Sequence, residues 1–358
     1  MQDTLFGEPE DSSESSSHKN SSTKIASSKS VKKSSTLVEP LEFPPELFTL
    51  AKTLSPNLRL GTSSWSCPGW NGIVWDGDYS ESTLSRYGLT AYHKHPLFRT
   101  VSVDRSFYQP MNVMQFGAYA SQVDDNFRFM VKAPSLVTDA LVRDESGRGM
   151  RTNNRFLNAD DALQMFVEPA LEGLGHKLGA LVFQISPLPN MWLMRMPEMI
   201  NRLHHLLKSI PDFRHRAPDG VVAVEVRDRE WLTPQFVQAL RDTRTTYCMG
   251  LHAKMPPIDE QLPILRALWP GPLVCRWNLN PVHGAYGYED AAEIYSPYNK
   301  IVDPDVQTRE ELAKVISKIA GAGQNVYVSL SNKAEGSAPL SVVELSKAIN
   351  NYSVGKDS

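Results

Sequence analysis

Eight short apolar runs between residues 58 and 332, most of them ending on a polar or charged residue, restrict this chain more than any other feature. They occupy 58–63, 98–104, 127–132, 179–184, 221–227, 247–252, 272–277 and 325–332. They are rich in Val, Ile, Phe and Tyr, short enough for strands, and separated by segments of helical periodicity, the pattern of alternating β and α units. Eight such units predict an α/β fold, a TIM-like (β/α)8 barrel. Enzymes of that architecture keep their chemistry at the carboxyl ends of the strands, so the run termini become the candidate site.

The segments between the runs agree with this. Leu163, Phe166, Val167, Ala170, Leu171 and Leu174 form one apolar helical stripe, with Asp160 and Asp161 near its positive amino end. Leu312, Val315, Ile316, Ile319 and Ala320 repeat the pattern before the last run. Thr233 and Pro234 make a cap and first turn for a helix burying Phe236, Val237 and Leu240.

The chain has 358 residues, 41% of them apolar, more than the roughly 250 that such a barrel needs. Residues 1–40 are Ser-rich, with scattered Lys19, Lys24, Lys29, Lys32 and Lys33, and have too little apolar surface to offset the entropy of ordering. The expected organisation is therefore a disordered tail over 1–40 and one barrel domain over 41–358. Cys67, Cys248 and Cys275 are too few and too dispersed for a disulfide framework or a CxxC site, which suits a reducing compartment. With no signal peptide and no run near the roughly 20 apolar residues of a membrane span, a cytoplasmic protein without membrane contact is expected. A formal charge of -3 gives no global pull toward nucleic acid.

Several motifs occur in a definite order: Gly61-Thr-Ser-Ser-Trp65-Ser-Cys-Pro-Gly69-Trp70, Asp104-Arg-Ser-Phe107-Tyr108, Phe127-Arg-Phe-Met-Val-Lys132-Ala-Pro134, Leu181-Val-Phe-Gln184, Ala223-Val-Glu225-Val-Arg227 and Asn332-Lys-Ala-Glu-Gly336-Ser-Ala-Pro339. Together they resemble the YecE-like family, domain of unknown function 72, over about residues 58–350. The resemblance implies a TIM-barrel-like fold and no established reaction. That family commonly has Glu two positions before the Asn or Asp of strand two, where this chain has Ser102, which leaves Asp104 as the acid of that strand.

Side chains alternate faces along a strand, so Glu225 and Arg227 share a face about 7 Å apart while Val224 and Val226 point away. The same parity pairs Ser102 with Asp104, Met130 with Lys132 and Val182 with Gln184. Glu225, Asp104 and Lys132 are thus the candidate catalytic groups, and Glu225 is the first candidate general acid or base, its pKa expected to rise in a partly desolvated mouth. Arg227, Arg276 and Lys132 suit a phosphate or carboxylate, and Gln184, Asn332, Trp65, Tyr108 and His252 complete the candidate binding set. Lys132 also has the chemistry of a Schiff-base lysine. The competing reading is a structural ion-pair network closing the barrel top. If Glu225 is catalytic, Glu225→Gln should alter ligand binding or turnover with little change in melting temperature.

Two long connections adjoin this mouth. Residues 139–158 carry Arg143, Arg148, Arg151 and Arg155 around Gly147 and Gly149, a candidate basic lid; residues 278–305 carry His283, Tyr286, Tyr288, Tyr295 and Tyr298, rings suited to stacking on a sugar or base. No HExxH or clustered ligand spacing points to a metal, although His252, Glu225 and Asp104 make a conceivable trio, and the cofactor is left open. His93 and His95, two apart on an expected helix, diverge. The functional expectation is an enzyme or ligand-binding barrel acting on a small anionic molecule, phosphorylated, sugar-like or derived from nucleic acid. The alternative is a non-catalytic nucleic-acid or protein-binding module linked to DNA repair. Gln2, Leu5 and Phe6 resemble the core of peptides that dock on the bacterial sliding clamp, making the clamp a further candidate partner.

Overall fold

The computed structural model describes residues 37–144 and 149–354. Its centre is a closed barrel of parallel strands: β1 (Leu58–Thr62), β2 (Phe98–Val103), β3 (Arg128–Lys132), β6 (Leu178–Gln184), β7 (Val221–Glu225), β8 (Thr246–Leu251), β9 (Leu273–Trp277) and β10 (Val326–Leu330). Two short strands, β4 (Leu141–Arg143) and β5 (Gly149–Thr152), form a separate antiparallel pair. Each of the eight expected runs is a barrel strand, and β1 closes the ring on β10 in the register Leu58↔Val326 to Thr62↔Leu330.

Alternation along these strands builds two apolar layers. Met130, Ala180, Val182, Ala223, Cys248, Val274 and Tyr327 fill the barrel interior. Val131, Leu181, Phe183, Val224, Val226 and Cys275 point outward into the larger core beneath the helices. Because the strands are buried on both faces they read as continuous apolar runs, which is why the sequence shows them so clearly. The amino-terminal end of the barrel is closed by Asp219, which accepts from Arg59 at 2.9 Å and Arg128 at 2.8 Å. Polar groups at the other end are therefore the ones available for chemistry.

The helical layer follows the apolar stripes. Helix Met196–Ser209 buries Met199, Ile200, Leu203, Leu206 and Leu207, and helix Pro234–Asp242 opens with Thr233 accepting from the Phe236 amide. The stripe over 163–174 is buried at Phe166, Val167, Ala170, Leu171 and Leu174 but is not one regular α-helix. A π-helical turn, Leu163–Val167, precedes Glu168–Leu174, whose Pro169 has no N–H to return to the preceding turn.

Three expectations change. Val38 is buried and Pro40 bridges Trp75, so the packed unit already includes residues assigned to the tail. The connection over 139–158 contains the β4–β5 hairpin, and its charges are partly committed: Arg143 pairs with Asp139 at 2.6 Å and Arg155 with Asp161 at 3.0 Å. The helix expected to carry His93 and His95 ends at Tyr92, and His95 lies buried against Phe98 with ring centroids 3.8 Å apart. The Ser-rich stretch through residue 36, the Gln2, Leu5 and Phe6 motif, Gly147 and Arg148 lie outside the described residues. Among the described residues no helix is long and apolar enough to cross a membrane.

Candidate functional site

Above the inner apolar layer, the next inward positions of β2, β3, β6, β7 and β9 carry polar groups that meet over the barrel axis. Glu225, fully buried, sits between two guanidinia: Arg227 Nη2 is 2.8 Å from Oε1 and Arg276 Nη1 is 2.8 Å from Oε2. Gly250 leaves the room for this, since a Cβ there would lie 3.2 Å from Glu225 Oε1. Gln184 Oε1 accepts from Arg227 Nη2 and from Arg276 Nη1, each at 3.0 Å. Arg276 Nη2 reaches Asp104 at 2.5 Å, and Ser102 donates to the other oxygen of that carboxylate at 2.6 Å. Ser102, where Glu was anticipated, therefore orients the strand-two acid.

This network corrects the electrostatic expectation for Glu225. Burial opposes its ionisation, but Arg227 and Arg276 outweigh burial and hold the carboxyl below its ordinary range. Glu225 is a locked anion, not a carboxylic acid poised near neutrality. The arginines are likewise occupied, with Arg227 also donating to the Tyr288 hydroxyl at 3.3 Å.

Lys132 differs from its neighbours. It stands across from Asp104 on adjacent strands, one step past the Val103↔Val131 pair, and is 9% exposed. Ser106 fixes its backbone by donating to the Lys132 carbonyl at 2.6 Å. Its Nζ lies over the Phe107 ring, 3.7 Å from the centroid, and among the described residues no carboxylate lies within ion-pair distance. Burial pushes the amine down to about 7; Asp104 opposes that shift, while Arg276 and Arg227 reinforce it.

His252 follows β8 directly and lies in the same mouth. Its Nδ1 accepts from the Lys254 amide at 3.0 Å, which places the proton on Nε2. Burial, then Arg227, lower its pKa to about 4, so the ring is a neutral donor at physiological pH. Tyr288 from the long connection after β9 covers it, with ring centroids 5.3 Å apart. At the rim, Lys254 Nζ lies 4.2 Å from the centroid of the exposed Tyr286 ring. Tyr108 is also at the rim and is 75% exposed.

Two anticipated members lie elsewhere. Asn332 turns away from the ring: its Oδ1 accepts from the Trp70 indole at 3.2 Å and from the Ala338 amide at 2.9 Å, tying the β1 loop to the last helix. Trp65 packs in the outer core with its ring 4.8 Å from that of Tyr119. The sequence reading missed Asn278, which donates to Glu225 Oε1 at 3.2 Å. Parity counted from Arg276 would have found it two positions on. The conceivable trio of His252, Glu225 and Asp104 is not assembled as a metal site, since the arginines take both carboxylates; among the described residues no group of three His, Cys, Asp or Glu side chains is arranged to hold an ion.

Comparison with known proteins places this geometry in a family. The UPF0759 protein YunF of Bacillus subtilis (strain 168) is 24% identical over 273 residues, which span 75% of this chain and 88% of that protein. A DUF72 family protein of Enterococcus faecalis V583 matches in structure with a TM-score of 0.56 at 18% identity, over 82% of this chain and 95% of that one. A DUF72 family protein of Thermotoga maritima MSB8 gives a TM-score of 0.51 at 18% identity, over 81% and 98%. These structures support the barrel and carry no activity to it. The model of the family described as protein of unknown function DUF72 matches residues 59–356, and the chain belongs to that family.

Proposed function

We propose that the carboxyl-terminal mouth of the barrel binds a small anionic metabolite, bearing a phosphate or a carboxylate, and that the Lys132 amine is the group that meets it. The supporting observation is a charge imbalance. Glu225 and Asp104 face Arg227, Arg276 and Lys132, and the ion pairs formed use both acids on the arginines. A buried cation without a partner is costly, and the site can relieve it by releasing the proton or by accepting an anion. His252, as a neutral donor, adds orientation without adding charge. Of the arginines in the 139–158 connection that would argue for nucleic acid, Arg143 and Arg155 are paired locally.

Calorimetric titration with ribose 5-phosphate, glyceraldehyde 3-phosphate and pyruvate tests the reading. At least one is expected to bind saturably, with affinity falling as pH rises through about 7, where Lys132 loses its proton. Lys132→Met should weaken that binding at least tenfold, about 1.4 kcal/mol, and raise thermal stability. The sign of the stability change follows from linkage. The folded amine titrates below the unfolded one, so its cost is complete below about pH 7 and fades as pH rises toward the ordinary lysine value of about 10.4. Absence of saturable binding, or binding undiminished in Lys132→Met, would remove the proposal.

A further inference from the structure

We infer that Lys132 is a covalent centre, an amine that forms an imine with a small aldehyde or ketone whose anionic group the mouth also holds. This rests on the anion-binding reading above and adds the carbonyl. The geometry is that of a nucleophile kept unoccupied. Lys132 is nearly buried on the inward face at the end of β3, its backbone is fixed through Ser106, and its Nζ rests on the Phe107 ring, with no acid in ion-pair contact among the described residues. The charged groups facing it from neighbouring strands are Asp104 on the β2 side, Glu225 and Arg227 from β7, and Arg276 from β9. Glu225 is spent on the arginines, so it cannot quench the amine. Asp104, whose side chain is 31% exposed, is held by Arg276 and Ser102 and acts on Lys132 only through its charge.

The chemistry balances without any oxidant or cofactor. The nitrogen lone pair attacks the carbonyl carbon, the C=O pair moves to oxygen, and an N–H proton passes to that oxygen through solvent water, giving a carbinolamine. The hydroxyl then takes a second proton from solvent and leaves as water as the C=N bond forms, the net uptake of one proton giving the protonated imine. The protonated imine carries the same positive charge as the lysine it replaces, and the anion on the ligand balances it. Burial supplies the reactivity: with the amine shifted to about 7, about half of it is neutral at pH 7, against about one part in 2,500 for an ordinary lysine near 10.4. The chain's cysteines are poor alternatives, since burial raises the most accessible of them, Cys67, to about 11.

The test is reductive trapping of the full chain at pH 7 with sodium cyanoborohydride and pyruvate, with acetaldehyde as a carbonyl lacking the anion and acetate as an anion lacking the carbonyl, read by peptide mass mapping. Pyruvate is expected to label Lys132 at least a hundredfold faster than the exposed lysines and tenfold faster than acetaldehyde does. Lys132→Arg, which keeps the charge, should lose this label. Labelling spread over surface lysines with Lys132 no faster than the rest would overturn the inference. Calorimetry with acetate and pyruvate separates the two readings. Binding without labelling ends the covalent inference and leaves the anion site standing; neither binding nor labelling ends both; equal labelling by acetaldehyde and pyruvate keeps the covalent lysine and removes the anion.

Discussion

Glu225→Gln is expected to lower the stability of the fold by about 3–5 kcal/mol, the range for removing one partner of a buried ion pair. The carboxylate is fully buried with a guanidinium 2.8 Å from each oxygen. An amide of the same shape keeps part of the hydrogen bonding but not the charge, so Arg227 loses its carboxylate and Arg276 keeps only the partly exposed Asp104. Asn278 adds a conflict of donors, because its amide already donates to Oε1 and a glutamine amino group placed there has nothing to accept with. Against a total stability of about 5–15 kcal/mol, such a loss corresponds to a fall in melting temperature on the order of 10 °C. A double-mutant cycle with Arg276→Gln measures the coupling directly. A loss below about 1 kcal/mol would show a carboxylate that is not locked and would return it to the role of a free general acid.

The same network has a pH signature. Glu225 is held below its unfolded value, so its stabilisation is present above about pH 4 and is lost as pH falls through the folded value. Wild type and Glu225→Gln should therefore converge in stability in acid. Lys132 acts in the opposite window, costing stability below about pH 7. Two groups on one ring thus have distinguishable titrations, one in acid and one near neutrality.

The barrel was legible because each strand is buried on both faces, and the inward set was legible because side-chain period along a strand is fixed. Glu225, Arg227, Lys132 and Gln184 follow from parity, and Arg276 from its place at the end of a run. Their charge states do not. Whether Glu225 is a free acid or a locked anion depends on Arg276, which lies 51 residues away and two strands round the barrel. Asn332 shows the limit of strand-end reasoning: it lies past the end of β10, beyond the last paired residue, where alternation no longer sets direction, and the Trp70 indole and a helix amide claim its side chain. The β4–β5 hairpin was hidden because its strands are short and largely exposed, so no apolar alternation marks them. Tyr288 was visible only as one aromatic among several, since nothing local says that it reaches Arg227 and His252.

Gly61→Ala is expected to cost more than about 4 kcal/mol, a size reserved for a few specific mechanisms, here backbone overlap in the barrel wall. A Cβ at this position would lie 1.8 Å from the Thr100 carbonyl oxygen and 2.6 Å from its carbon. Both atoms belong to the backbone of β2, so no side chain can turn aside to make room. The pairing of β1 and β2 already shifts register between Leu60 and Gly61, and the close approach at Gly61 is what lets the ring close there. Separating the strands would open the wall beside Ser102 and Asp104, so ligand binding should fall along with stability. Gly117→Ala is the matched control. It lies in the helix Val113–Ala120, and its nearest neighbour to an added Cβ is the Gly173 carbonyl oxygen at 3.8 Å, ordinary contact. There the methyl group should stabilise by about 0.5–1 kcal/mol through helix propensity. Denaturant unfolding of the two variants is therefore expected to give shifts of opposite sign from the same chemical change, and a Gly61→Ala protein within 1 kcal/mol of wild type would mean that β1 and β2 are not in the contact described.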